Sequence, residues 1–254
     1  MLNGFQCRAA AVSTAVYEDA DSIVIFLCKE CVPALGRLQL PAAVEQAVKA
    51  YLQAYDDVCE AEALHTLVLP VKNGLLTVLL AGCGAGGECK PAVFRRTAGA
   101  AARALHKAQA VKAVLAAPIL LNPKRGPYLE AIAEGLYLGA YTFDIFKSES
   151  KPAVPCAVQV VSAVDEAEAL LSRAYISAEA VCYTRDLVNN PGNLLVPQSL
   201  AEEALQLTEE LPLEVEVLDA TMLAVKNMNA ILAVGQGSVH PPYLVAIKYQ
   251  GAGD

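Results

Sequence analysis

Arg185-Asp186-Leu187-Val188-Asn189-Asn190-Pro191-Gly192-Asn193-Leu194-Leu195-Val196-Pro197-Gln198-Ser199-Leu200 is where the chain changes character. Just upstream, Ala167, Leu170, Leu171, Ala174, Tyr175, Ala178 and Cys182 recur at helical spacing, and Asp165, Glu166 and Glu168 crowd the start, where acids suit the positive end of a helix. Proline lacks an amide donor and drives the residue before it out of the helical region, so Pro191 and Pro197, with Gly192 between them, require that helix to end near Asn189. The stretch predicts a hinge: an amino-terminal mixed-sheet α/β domain over 1–163, a connecting helix over 164–188, and the beginning of a second α/β domain over 189–254.

Upstream of the hinge the pattern alternates. Strands are predicted over 9–16 and 22–28, separated by the acidic turn Glu18-Asp19-Ala20-Asp21, and a helix over 41–55 with Val44, Val48, Tyr51 and Leu52 on one face. Strands over 64–70 and 75–81 flank Lys72-Asn73-Gly74, whose Asn-Gly pair favours a hairpin. Helix over 91–107, strand over 111–117, helix over 127–141 and strand over 157–161 follow. Beyond the hinge the expectation is helix over 197–208, strand over 213–218, a short helix over 220–227, and strands over 231–234 and 243–249.

Composition narrows the function classes. A length of 254 residues suits two modest domains, since most hold roughly 100–200. Apolar residues make up 55%, yet no run reaches the roughly 18 that a membrane helix needs, and the start carries no export signal; a soluble, cytoplasmic protein with no membrane partner is expected. The eight scattered cysteines are then expected to stay reduced. A net charge of -8, with no long Lys and Arg cluster, makes nucleic acid an unlikely partner.

Several residue groups could carry chemistry, and each has a plainer reading. Gly82, Gly84 and Gly87 fit a dinucleotide fingerprint, but a hairpin precedes them and no Asp or Glu ends the next strand to hold a ribose, so a glycine-rich connection is favoured. Cys28-Lys29-Glu30-Cys31 has zinc or thiol-exchange spacing; zinc needs a second pair, and Cys83 and Cys89 stand too far apart in sequence to be a usual one, which leaves buried, incidental thiols. His65, His106 and His240 are too dispersed for a His-rich metal site, and Ser238 beside His240 defines no nucleophile and base. Asp186 and Glu202 read as solvated or capping carboxylates.

Three stretches together resemble the leucyl aminopeptidase family. Leu79-Leu80-Ala81-Gly82-Cys83-Gly84 with Arg95-Arg96-Thr97-Ala98-Gly99-Ala100-Ala101-Ala102-Arg103-Ala104-Leu105 is similar to the family's strand, glycine turn and alanine-rich helix. Ala133-Glu134-Gly135-Leu136-Tyr137-Leu138-Gly139-Ala140-Tyr141-Thr142-Phe143-Asp144 resembles its next helix. The hinge, continuing to Ala230-Ile231-Leu232-Ala233-Val234-Gly235-Gln236-Gly237-Ser238 and Leu244-Val245-Ala246-Ile247-Lys248-Tyr249, is the third. Two departures stand out: Val196 replaces a frequent Thr able to cap the helix at Pro197, and Asn227 replaces a frequent Gly.

The resemblance implies a macro-domain-like first domain and, for the intact protein, a homohexameric aminopeptidase that removes residues such as Leu from peptides using two divalent metal ions, Zn, Mn or Mg. The family's metal-ligand segments, a Lys-Gly-x-x-Phe-Asp-Ser-Gly-Gly-like run and an Asn-Thr-Asp-Ala-Glu-Gly-Arg run, do not occur here. Catalytic, metal and substrate-binding roles are therefore carried over to no residue of this chain, no metal is expected within 1–254, and the chain by itself is expected to be inactive. The alternative is a noncatalytic binding or assembly module formed by the first domain.

Overall fold

β2 (Ser22–Leu27) is buried along its whole length, as a strand covered on both sheet faces must be. In this computed structural model, which describes residues 3–71, 74–149 and 154–251, β2 pairs in parallel with β4 (Gly74–Gly82) on one side and β5 (Lys112–Ala116) on the other. β6 (Cys156–Val161) and then β1 (Phe5–Ala10) extend the sheet in parallel beyond β5. β3 (Leu64–Val71) runs antiparallel to β4 and forms the opposite edge, giving the order β1-β6-β5-β2-β4-β3. The mixed sheet expected from sequence is present; Lys72 and Asn73 of the expected hairpin turn lie outside the described residues.

Side chains alternate across a strand, so this sheet feeds two cores. Val24, Phe26, Leu79, Ala81, Ala113 and Leu115 face one, beneath α2 (Pro91–Lys107), α3 (Gly126–Gly139) and α4 (Ala167–Asn189). Ile23, Ile25, Leu27, Val78, Leu80 and Val114 face the other, beneath α1 (Ala42–Ala54) and the 3-10 stretch Lys29–Leu38. Each fully buried Ile, Leu or Phe contributes about 1.5–3 kcal/mol of transfer free energy, so this double layer carries most of the unit's stability. α4 supplies Leu171, Ala174 and Ala178 to the first core, which makes the front of the connecting helix part of the first unit's packing.

The α2/α3 pair approaches closely because both helices present glycine and alanine. A Cβ added at Gly139 would lie 2.7 Å from the Gly99 carbonyl carbon and closer still to its Cα and oxygen, and one at Gly135 would lie 2.8 Å from Ala98 Cβ. No side chain fits there, so helix-to-helix contact is backbone to backbone.

The chain divides into two compact units, Met1–Tyr183 and Thr184–Asp254. In the second, α5 (Pro197–Glu210) is followed by β7 (Leu213–Leu218), α6 (Ala220–Val225), α7 (Asn229–Gly235) and β8 (Leu244–Tyr249), with β7 and β8 antiparallel. Val196 provides no capping side chain to α5; Ser199 Oγ instead accepts from the Val196 amide at 2.8 Å, half of a capping box. Asn227 takes the left-handed conformation at φ 57°, the role expected of it.

Two predicted strands are corrected. Residues 231–234 lie inside α7, where the Leu232 and Gln236 amides donate to the Met228 and Leu232 carbonyls; a short apolar run has no period of its own, and local bonding after the reversal at Asn227 decided it. Residues 9–16 are strand only to Ala10, where pairing with β6 ends at Val161. Ser13 then caps a 3-10 turn, Thr14–Tyr17, its Oγ accepting from the Ala15 amide at 3.2 Å, and that local bond competes successfully with a ladder.

Candidate functional site

Adjacent parallel strands whose chains leave toward opposite faces open a crevice at their carboxyl ends, and β2 and β5 do this. After Leu27 the chain turns into the 3-10 stretch Lys29–Leu38 and α1 on one face; after Ala116 it turns through the 3-10 stretch Pro118–Leu121 toward α3 on the other. The resulting cleft, about 210 Å³, is lined by Glu30, Cys31 and Arg37 from the first connection and by Leu121, Asn122 and Arg125 from the second. A neighbouring cleft of about 400 Å³ lies where β2 and β4 end and includes Lys29, Asp56, Cys59, Glu60 and Glu88.

Glu30 stands between the two. Its Oε1 accepts from the Gly86 amide at 2.5 Å, and that bond holds its carboxyl below the usual carboxylate range. Arg125 lies 5.3 Å from the Tyr128 ring centroid, a cation-π distance. Arg95, Arg96 and Arg173 pair with Glu134, Glu62 and Glu130, whereas among the described residues Arg37 and Arg125 have no carboxylate partner. Arg37 and Arg125 stand 88 positions apart in the chain (125 − 37), and nothing in their local sequence marks them as a pair.

The glycine fingerprint is used structurally. A Cβ at Gly82 would lie 2.7 Å from the Val58 carbonyl oxygen and closer still to that of Glu60, and Gly84 takes φ +81°. Gly87 has open space around it and no positive φ. α2 begins only at Pro91, so no helix start follows the turn directly, as a pyrophosphate cradle requires.

Cys28 and Cys31 are joined as a disulfide, with Cα atoms 5.2 Å apart, which corrects the expectation that all thiols are reduced. Burial raises the pKa of the nearby Cys59, Cys83 and Cys89, all free thiols. The histidines are spread out. His65 Nδ1 lies 3.2 Å from the Tyr51 hydroxyl, His106 stacks on Phe5 at 4.7 Å, and His240 is exposed in a loop. Ser238 Oγ accepts from the His240 amide rather than facing its imidazole. Glu202 Oε1 accepts from Gln198 on the exposed face of α5, and the Asp186 carbonyl receives the Asn190 amide at the end of α4. Among the described residues no three His, Cys, Asp or Glu side chains converge to hold a metal ion. Among them, too, no helix is long and apolar enough to cross a membrane.

A unit built on a six-stranded mixed sheet and a second α/β unit in which β7 pairs with β8 define the class, and comparison with known proteins defines the family. Residues 24–150 match the N-terminal domain of the cytosol aminopeptidase family, and residues 182–254 match that family's catalytic domain. The chain belongs to the cytosol aminopeptidase family, whose members are peptidases. A probable cytosol aminopeptidase of Nocardia farcinica is 38% identical over 199 residues, covering 76% of this chain and 38% of its own. Among solved structures, a tomato leucine aminopeptidase superposes with TM-score 0.76 at 22% identity, over 98% of this chain and 52% of its own. The bottromycin maturation enzyme BotP, in complex with Mn, gives TM-score 0.69 at 25% identity, over 92% and 46%. The chain spans about two fifths of the length of the curated relatives it matches.

Proposed function

We propose that the intact protein is a cytoplasmic, metal-dependent aminopeptidase that releases amino-terminal residues such as Leu from peptides, and that residues 1–254 alone do not turn over substrate. In this reading 1–163 is an accessory domain, 164–188 a connecting helix and 189–254 the opening of the catalytic domain. The observation that carries it is the order of the two family matches on one chain, with the catalytic match beginning inside α4. Two divalent ions, Zn, Mn or Mg, would polarise the scissile carbonyl and acidify a water in the completed domain. The Mn in the BotP structure supports a metal of this kind. The contribution of the residues on these elements is architectural: the Asn189 to Pro197 stretch turns the chain out of α4 and into α5, and Ser199 anchors the start of that helix.

The second unit fits this reading by what it leaves exposed. Val225, Val234 and Val239 are 78%, 86% and 94% exposed, and among the described residues β7 and β8 pair only with each other, a surface and an edge that further strands and helices of a larger sheet would cover.

Leucine-p-nitroanilide hydrolysis with added Mn²⁺ tests the proposal, comparing residues 1–254 with a chain extended through the family's catalytic domain. The expected result is metal-dependent turnover by the extended chain alone. Turnover by residues 1–254, or none by the extended chain, overturns it. Light scattering on the extended chain checks the homohexamer.

A further inference from the structure

Cys28 is buried in the first core, whereas Cys31 is partly exposed and lines the cleft between β2 and β5. A thiolate arriving from solvent therefore meets the Cys31 sulfur and not its partner. The cleft also carries two guanidiniums, Arg37 and Arg125, that have no carboxylate partner among the described residues, against one carboxylate, Glu30, which is already engaged by the Gly86 amide. Its lining is net positive on a chain whose formal charge is -8. Disulfides that form in a cytoplasmic protein are usually catalytic or redox-sensing rather than structural.

The geometry points to a thiol–disulfide exchange site at Cys28–Cys31, served by a small thiol that bears carboxylates, which Arg37 and Arg125 recognise. Guanidinium matches carboxylate in a planar two-point contact, and it also attracts the thiolate that must make the attack. In the first step the incoming thiolate bonds to Cys31 Sγ and the Cys28–Cys31 bond breaks. Its electron pair passes to Cys28 Sγ, which takes a proton from water. A second molecule of the thiol, as thiolate, then attacks the small-molecule sulfur of the mixed disulfide and releases Cys31 as thiolate. Two small thiols are oxidised to one disulfide, and the protein disulfide is reduced to two thiols. The inference rests on the cytoplasmic reading of the protein but not on its peptidase activity, and the test below reads no peptide hydrolysis, so the two can fail separately.

The test compares glutathione, an anionic thiol, with cysteamine, a cationic one, as reductants of the air-oxidised 254-residue chain at matched thiolate concentration. Acid quenching and peptide mass spectrometry locate the trapped adduct. Net charge alone favours cysteamine. The local site predicts the opposite: glutathione faster on the order of fivefold at low salt, with the adduct on Cys31. The paired change Arg37→Gln with Arg125→Gln, on two exposed side chains, removes that preference, and 0.5 M salt, chosen to bring the screening length to about 4 Å, weakens it. An adduct on another cysteine, cysteamine reacting as fast as glutathione, an unaltered preference in the double variant, or free thiols at Cys28 and Cys31 after treatment with oxidised glutathione each overturns the proposal.

Discussion

Replacing Gly139 by Ala puts a methyl group where α3 meets the backbone of α2. The new Cβ would lie 2.7 Å from the Gly99 carbonyl carbon and closer to Gly99 Cα and oxygen, while carbon atoms settle at about 3.5–4.0 Å. The obstacle is main chain inside a helix, so no rotamer change relieves it and the two helices must separate by roughly the 1 Å overlap. Separation loosens Phe94, Ala98, Ala102 and Leu105 against Leu129, Ile132 and Leu136, all buried in the first core. Overpacking costs about 1–3 kcal/mol where side chains can shift, so an obstacle made of main chain belongs at the upper end. Ala's helix propensity returns up to about 1 kcal/mol, leaving a net loss of about 2 kcal/mol. At about 2–4 °C per kcal/mol for a domain of this size, the first unit's Tm falls by roughly 4–8 °C. Thermal and urea melts followed by circular dichroism measure this, with Gly87→Ala as the control because its Cβ meets nothing within 4 Å. Equal stability of the two variants would refute the claim that bare backbone contact joins α2 to α3.

Gly82→Ala is expected to destabilise the first unit by at least about 2 kcal/mol, because its Cβ would collide with the Val58 and Glu60 carbonyls; urea midpoints check it against the same Gly87→Ala control. Burial lowers the His106 pKa, and its buried Nε2 has no hydrogen-bond partner among the described residues. Below the unfolded value of about 6.5 the unfolded chain therefore binds more protons, and the contribution of neutral His106 is complete above that pH and is lost as pH falls toward the folded pKa. In His106→Phe, which keeps the stack on Phe5, the difference between urea midpoints at pH 7.5 and 5.5 should shrink; an unchanged difference counts against the assignment. Val196→Thr supplies the acceptor α5 lacks and should stabilise the second unit by about 0.5–1 kcal/mol, read by thermal melting, whereas no gain would show that Ser199 already satisfies the helix start.

Elements with a strong period were legible residue by residue. α2 runs from Pro91 to Lys107 as its alanine-rich pattern indicated, and α4 stops at Asn189 because Pro191 forbids more. The misses came where pattern is weak: residues 231–234 are too short to have a period, and residues 11–16 were taken from strand by the Ser13 cap. The family was legible because its motifs are local strings. The β2/β5 cleft was not, since Cys31, Arg37 and Arg125 become neighbours only through the crossing of two connections.

Sequence alone determined where α4 stops, the alternation of strand and helix, and the family, because each is written in local composition, period or spacing. Tertiary structure decided the strand order, the Cys28–Cys31 pairing and the use of Gly82, Gly135 and Gly139 as points of backbone contact. Tertiary structure likewise decided what flanks residues 185–200: a packed unit with two cores before them and exposed valines after them. The division has a physical cause: backbone conformation is set within a few residues, whereas contact between distant segments depends on how whole faces are buried together.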